Sequence, residues 1–368
     1  MGTSQALLSR YACSAVWSTH CLVSLTTDGR GGSVAMFRCG NRGAVVAANS
    51  SAMLRYVSGR IVAMIPVLVI VTFLSYTLMM ILPGDPAQMM LGEQVANDNS
   101  GYLALRAQLG LDRPIPVQYA QWVWGVVRGD FGTSYKDKLP IGAEIGAHVF
   151  PTLELAMFGL VIALAIALPA GVVSALKPNS LADIFGTLGA LTGVAFPHFF
   201  LGILLIYAFA VVLHVLPPSG YVPPWEDPLA NLRLMLMPAL ALSTGIAAVI
   251  MRQVRSSLLE VLQNEYVVTA RAKGLTETAV VSAHALKNAL IPVAAVIGLQ
   301  AGTLIGGAVV IETIFSIPGM GRLIVDSMYF RDYPVVQAML LLLAVVVLVT
   351  NLLTDLVYGY LDPRIRLA

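Results

Sequence analysis

Apolar positions along this chain gather into six long runs separated by polar segments. The runs cover about Ile61–Leu82, Phe150–Leu176, Ile184–Leu213, Leu234–Met251, Ala289–Ile311 and Pro334–Tyr358. A stretch of roughly 18 or more apolar residues with few charges is the pattern of a transmembrane helix. At about 1.5 Å per residue, each run is long enough to cross a hydrocarbon core of about 30 Å with some tilt. The pattern therefore predicts an all-α membrane protein with six spanning helices and a long polar insertion, residues 83–149, between the first two.

Small and helix-breaking residues punctuate the runs. Pro66, Pro169, Pro197, Pro238 and Pro292 each remove a helix hydrogen bond and are expected to kink or break their helix. In a membrane, neighbouring helices satisfy the freed groups, so these prolines read either as tolerated kinks or as bending points. Gly298, Gly302 and Gly306 recur every four residues in the fifth run and form one smooth stripe. Such a stripe lets another helix approach closely; lining a path through the protein is the other reading. Gln300 lies off the stripe and could face a wet cavity.

Composition agrees with a lipid environment. The 368 residues are 57% hydrophobic and 11% charged, whereas soluble domains carry about 25% charged residues. A net charge of +2 without a basic stripe gives nucleic acid no footing. Cys13, Cys21 and Cys39 all precede the first run and show no paired spacing, which argues against a disulfide framework or a metal site.

Residues 1–52 differ from the rest, mixing Ser, Thr, Gly and Arg with short apolar patches. No continuous apolar core or cleavage site marks a signal peptide there, and Ala6 stands where a myristoylation pattern requires Ser or Thr. The segment reads as a disordered or artefactual extension, with translation starting at Met53. The remainder, 53–368, reads as one membrane domain.

Short loops rich in Lys and Arg stay in the cytoplasm. Arg55 and Arg60 flank the first run, Arg252, Arg255, Arg271, Lys273 and Lys287 lie between the fourth and fifth, and Arg364 and Arg366 end the chain. With six spans these sites fall on one side, so both termini are expected in the cytoplasm and residues 83–149 outside.

The segment 252–290 is the most informative. Leu258, Leu262, Tyr266 and Ala270 recur every four residues and predict one apolar helical face. Gly274 is a natural stop, because glycine takes the left-handed conformation at helix ends. Thr276 and Glu277 suit the start of a second helix by capping it and placing an acid in its first turn.

Here the chain resembles a known family. Glu265-Tyr-Val-Val-Thr-Ala-Arg-Ala-Lys-Gly-Leu275, followed by His284-Ala-Leu-Lys-Asn-Ala-Leu-Ile-Pro292, is similar to the cytoplasmic signature loop of binding-protein-dependent importer permeases in its peptide-permease form. Only Ala270, Gly274 and Leu286 match the general form of that loop; the peptide-permease variant departs in the same way. The resemblance extends through Leu82-Pro-Gly-Asp-Pro-Ala87, Leu109-Gly-Leu-Asp-Arg-Pro-Ile-Pro-Val-Gln-Tyr119 and Arg128-Gly-Asp-Phe-Gly-Thr-Ser-Tyr135. It continues in Glu312-Thr-Ile-Phe-Ser-Ile-Pro-Gly-Met-Gly-Arg322, Arg331-Asp-Tyr-Pro-Val-Val-Gln337 and Leu361-Asp-Pro-Arg-Ile-Arg366. These look like the first permease subunit of dipeptide, oligopeptide, glutathione and nickel importers.

The resemblance implies a bacterial inner-membrane complex. A second homologous permease shares the pathway, two ATP-binding subunits sit beneath, and a periplasmic solute-binding protein delivers the substrate. It also implies that the loop docks in an ATP-binding subunit through Glu265, Tyr266, Thr269, Ala270, Arg271, Ala272, Lys273, Gly274, Leu275, His284 and Leu286. Small Ala270, Ala272 and Gly274 would allow close contact, and Arg271 and Lys273 would add charge recognition. ATP is then bound by the partners and no cofactor by this chain.

What is missing fits a non-enzyme. No glycine is followed by lysine, so there is no phosphate-binding loop, and neither a zinc-protease nor a serine-hydrolase motif occurs. Glu154, Glu312 and Asp355 lie near the ends of spans, where a charge is cheap, and read as structural. His198 is deeper and is expected to bond a neighbouring helix or contact substrate. An ATP-independent secondary transporter would need charges in mid-span, which these runs almost lack. Nickel as cargo stays open, since a chelated metal would leave no cluster of ligands.

Overall fold

A computed structural model describes residues 21–27, 33–39, 42–81, 87, 99–108 and 110–361. Cys13, residues 82–86 of the Leu82–Ala87 motif, Leu109 and the tail from 362 lie outside the described residues. The chain divides into two compact units, Met1–Ser58 and Gly59–Ala368.

In the first unit, β1 (Cys21–Thr27) pairs antiparallel with β2 (Ser33–Cys39), with Leu25 opposite Ala35. The hydrophobic pattern did not predict this hairpin. Helix α1 (Arg42–Ile81) supplies residues to both units.

The second unit is helical among its described residues, apart from a single bridge between Thr133 and Pro140. After α1 come two short helices, α2 (Asn99–Gln108) and α3 (Ile115–Val127). Long α4 (Ile141–Leu176) follows, then α5 (Leu181–Ala195), α6 (His198–Val212) and long α7 (Pro228–Leu262). The chain continues with short α8 (Glu265–Ala272), α9 (Glu277–Phe315), short α10 (Met320–Tyr329) and α11 (Tyr333–Leu361).

Five of these helices are long and apolar enough to span: Val57–Met80 within α1, α4, α7, α9, and Tyr333–Val357 within α11. The remaining expected span, Ile184–Leu213, third along the chain, is not one helix. It is α5 and α6, bent by 105° at Phe196 and Pro197. Proline forces the residue before it out of the helical region, and Phe196 sits at φ −85°, ψ 127°. Pro197 is also extended and starts α6. The other prolines did not break their helices: Pro66, Pro169, Pro238 and Pro292 lie inside α1, α4, α7 and α9.

Helix ends overshoot the apolar runs. The α7 helix starts six residues before Leu234, because the Asp227 carboxylate accepts from the backbone N–H of Leu229 and of Ala230, both at 3.0 Å, and Pro228 fits the first turn. It ends at Leu262 rather than Met251. This helix is the hub. Of its most apolar window 67% is buried within the protein, against 11% for α1. Met235, Leu242, Ile246, Ile250 and Val254 of α7 pack with Leu155 and Ala163 of α4 and with Leu304, Ile311 and Phe315 of α9.

Within the insertion between α1 and α4, helix α3 packs against α1. Phe73 and Tyr76 of α1 meet Tyr119 edge-on at 5.2 and 5.8 Å between ring centres, a favourable aromatic geometry. The hydroxyls of Thr72 and Tyr119 lie 2.7 Å apart. Gln118 fastens the start of α3, its amide donating to the Leu111 and Arg113 carbonyls at 3.2 and 2.7 Å.

Candidate functional site

The segment between the fourth and fifth spans folds as a short helix, a glycine turn and the start of a long helix. The α7 helix stops at Leu262, and Asn264, extended at φ −70°, ψ 145°, starts α8. Lys273 ends α8, Gly274 follows at φ +80°, and Thr276 precedes α9. A Cβ on Gly274 would meet nothing within 4 Å. The demand for glycine is therefore set by the left-handed backbone and not by crowding within the chain.

Three ties hold α8 against α9. Val267 and Ala270 are buried against Val280. The Arg271 guanidinium donates to the Glu277 carboxylate at 2.6 and 3.1 Å, closing the turn. That hydrogen-bonded carboxylate also holds the Arg271 pKa above its usual range. Finally, the Asn288 amide donates to the Tyr266 hydroxyl at 2.9 Å. Residues 280–285 form a π-helical stretch. Wider turns of this kind shift the register of a helix by one position.

These contacts revise parts of the sequence reading. Leu258, Leu262, Tyr266 and Ala270 do not share one face, because the chain breaks at Gln263 and Asn264 between the second and third. Leu258 is fully buried while Tyr266 is 41% exposed. Ala270 is buried against Val267 and Val280 of its own chain. Arg271 is engaged with Glu277 in its own chain. Thr276 stands at the helix start, but its side chain makes no capping bond. The surface that remains exposed carries Glu265, Tyr266, Val268, Thr269, Ala272, Lys273, Gly274 and Leu275. His284 is exposed and Leu286 half-buried.

At the same end of the bundle, Asp183 and Arg255 form a pair the sequence reading missed. The guanidinium donates twice to the carboxylate, at 2.7 and 2.8 Å, and the Asn179 backbone N–H donates to it at 2.9 Å. Asp183 is buried. The pair fastens the start of α5 to α7 about two turns before the end of α7. Two residues 72 positions apart carry no local signal of such a bond.

Two of the three stripe glycines, Gly298 and Gly302, face α11, and Gly306 faces open space. A Cβ on Gly298 would fall 1.7 Å from Thr354 Cγ2, so α9 and α11 touch there backbone to side chain. At Gly302 the nearest atom is Asn351 Oδ1 at 3.3 Å, and at Gly306 nothing lies within 4 Å. His198 bonds a neighbouring helix, its Nδ1 lying 3.2 Å from the Ala241 carbonyl. Asp355 pairs with Arg60 at 3.3 Å, and Glu154 accepts from the Tyr221 hydroxyl at 2.8 Å.

Two buried carboxylates organise the opposite end. Glu312, expected at a cheap interface position, is fully buried. It accepts from the Thr152 hydroxyl at 2.6 Å and from the backbone N–H of Gly321 and Arg322 at 2.8 and 3.1 Å. The N–H of Met320 donates in turn to the Thr152 hydroxyl at 2.8 Å. Glu312 thus caps the first turn of α10, where unpaired N–H groups and the helix dipole favour an acid. Asp332 accepts from the Ser134 hydroxyl and from the backbone N–H of Tyr135 and Lys136 at 3.0 and 3.3 Å. Two sequence motifs almost 200 positions apart meet at this carboxylate. Burial, then the neighbouring Tyr76 and Asp332, pushes the Tyr135 phenol up to about 12.

The geometry is that of a helical membrane protein with a short helix displayed between two spans, and known proteins are similar to it in sequence. Residues 167–367 match the family described as "Binding-protein-dependent transport system inner membrane component". Residues 53–144 match "Binding-prot-dependent transport system membrane comp, N-term". The dipeptide transport system permease protein DppB of Escherichia coli (strain K12) is 41% identical over 337 residues, covering 85% of this chain and 99% of the relative. The glutathione transport system permease protein GsiC of Salmonella typhimurium is 41% identical over 314 residues, with the same coverage. Among solved structures, the inward-facing MetNI methionine ABC transporter aligns with a TM-score of 0.50 and 19% identity, covering 60% of this chain and 96% of that one. That likeness concerns the fold alone. Family match and full-length relatives together establish that the chain belongs to the inner membrane components of binding-protein-dependent transport systems.

Proposed function

We propose that this chain is a permease subunit of an ATP-driven importer that carries short peptides across the bacterial inner membrane. A second homologous permease would share the pathway. Two ATP-binding subunits would lie below it, and a periplasmic binding protein would deliver the cargo. The chain itself performs no covalent chemistry, and ATP is bound by the partners. Both termini lie in the cytoplasm and the α2–α3 insertion lies outside.

The observation that carries this reading is α8. It is a short helix with an exposed outer surface, fastened to α9 at Val280, Glu277 and Asn288. A partner pushing on α8 would move α9 and α7 with it. Lys273, Gly274 and Leu275 form the tip that would dock in an ATP-binding subunit. The experiment is uptake of a labelled dipeptide into vesicles holding the assembled complex, with and without ATP. Equal uptake in both would reject the reading. Glutathione is a second cargo, because a glutathione permease is as similar to this chain as the dipeptide permease. Competition between the two labelled solutes separates them.

A further inference from the structure

Residues 280–285 are wound as a π-helix inside α9, just after the turn that carries α8. The Leu286 N–H donates to the Val281 carbonyl, five positions back, where an α-turn reaches four. Such stretches are rare and often sit at functional sites. This one matches two packing partners at once. Val280 is buried against Val267 and Ala270 of α8, while Ala285 and Ala289 are buried with Leu258 of α7 and Ala175 of α4. A π-turn brings Ala285 under Val280 and leaves His284 exposed. An α-turn would bring His284 under Val280 instead.

Side chains hold the wide winding at both ends. At its head the Ser282 hydroxyl donates to the Thr278 carbonyl at 2.7 Å. At its foot the Asn288 amide donates to the His284 carbonyl at 3.2 Å and to the Tyr266 hydroxyl of α8 at 2.9 Å. A side-chain amide carries two N–H donors, so both are used, and Asn288 joins α8 to the foot of the stretch. The Arg271–Glu277 pair joins α8 to its head. The short helix is therefore bonded to α9 on both sides of the π winding.

We propose that residues 280–285 are a register joint, latched in the π form by the Tyr266–Asn288 bond and rewound as α-helix when a push on α8 breaks that bond. Ala285 and Ala289 stay packed in the bundle. The head of α9 then turns about its axis by one residue, about 100°, and shifts by about 1.5 Å along it. Glu277 carries α8 with it through Arg271. Ser282, Ala283 and His284 are exposed, so little packing on that side opposes the turn. The inference rests on the permease reading only for the source of the push, an ATP-binding subunit touching α8.

The test places nitroxide labels at Val268 of α8 and Leu299 of α9, both exposed, in the full-length chain with Cys13, Cys21 and Cys39 changed to serine. Pulsed electron spin resonance reads their separation. In lipid nanodiscs the chain alone should give one distance. Asn288→Leu, which removes both bonds of the latch at an exposed position, should add a second distance. Tyr266→Phe, which removes one bond, should add it in smaller proportion. In the assembled complex ATP should bring out that second distance in the parent. Deleting Ala283 takes one residue out of the stretch and leaves an α-helix. This variant should show the second distance alone, with or without ATP, and lose uptake, whereas Ala283→Ser should transport like the parent. The proposal is overturned if Asn288→Leu keeps the single parent distance, if ATP leaves the distance unchanged in a complex that takes up cargo, or if the deletion variant transports at the parent rate. Should the deletion variant fail to reach the membrane, the Asn288→Leu distances decide alone. A parent complex without ATP-dependent uptake would count against the permease reading, while the distances in the chain alone still decide the joint.

Discussion

Arg271 and Glu277 face each other across Gly274, and the hydrogen bonds between them close the turn that links α8 to α9. The bond runs between the two arms of the turn, so Gly274 is left displayed at its apex with open space beyond.

Gly274→Val should leave the protein inserted but abolish ATP-dependent uptake and substrate-stimulated ATP hydrolysis. A β-branched residue opposes the left-handed backbone by about 1 kcal/mol or more, and its side chain would occupy the space where a partner would sit. Gly101→Val, in α2, is the control and should do much less. Normal transport by Gly274→Val would remove α8 from the coupling path.

Arg271→Ala should barely change the melting temperature, because both partners of the pair are solvent-exposed and such pairs contribute little. Coupling should suffer more than stability, with ATP hydrolysis continuing while uptake falls. Parallel loss of both, or of neither, would mean that the pair does not stiffen the turn.

Glu312→Ala should be among the most damaging single changes. It strips the acceptor from the Thr152 hydroxyl and from two N–H groups of α10, and each buried group left unpaired costs about 1–3 kcal/mol. Thermal denaturation in detergent should show a clear drop, and Glu312→Gln, which keeps an acceptor, a smaller one. An unchanged melting temperature in the alanine variant would show that α10 is held by its apolar contacts.

A reporter near Asn97 should be periplasmic and one near Gln263 cytoplasmic. Labelling from outside intact cells checks both positions, and finding them on one side would reject the orientation.

Removing residues 1–52 should leave insertion and transport intact. The family match begins at residue 53, and the first candidate span begins at Val57. Loss of uptake at a normal membrane level would give the segment a role.

Legibility in the sequence followed how local each signal was. Apolar runs gave the spanning helices because lipid imposes a length on every one of them. Gly274 was readable because a left-handed stop is decided within a few residues. Pro197 and Pro238 look alike in the sequence, yet one breaks a span and the other sits inside the central helix, since the neighbours that satisfy a freed carbonyl are not adjacent in the chain. The period of four through Leu258, Leu262, Tyr266 and Ala270 misled because it ran across the end of α7. Bonds such as Asp183 with Arg255 and Asp332 with Ser134 join distant segments, and nothing near either partner announces them. Glu312 was legible as a structural residue near a span end, but its full burial was not, because the donors that permit it belong to Thr152 and to the next helix.

The bond from Asp332 to residues 134–136 also sets an order of assembly. A ribosome delivers Ser134 long before it delivers Asp332, so the 131–135 turn must wait for nearly the whole chain before it can be fixed. Closing a loop of this size costs entropy that only the finished chain can repay. A nascent chain halted before Glu312 lacks both of these carboxylates and should remain open to protease around Ser134, whereas the released protein should be resistant there. The end of the bundle that holds residues 131–135 is thus completed last, at the start of α11, although its own sequence was translated early.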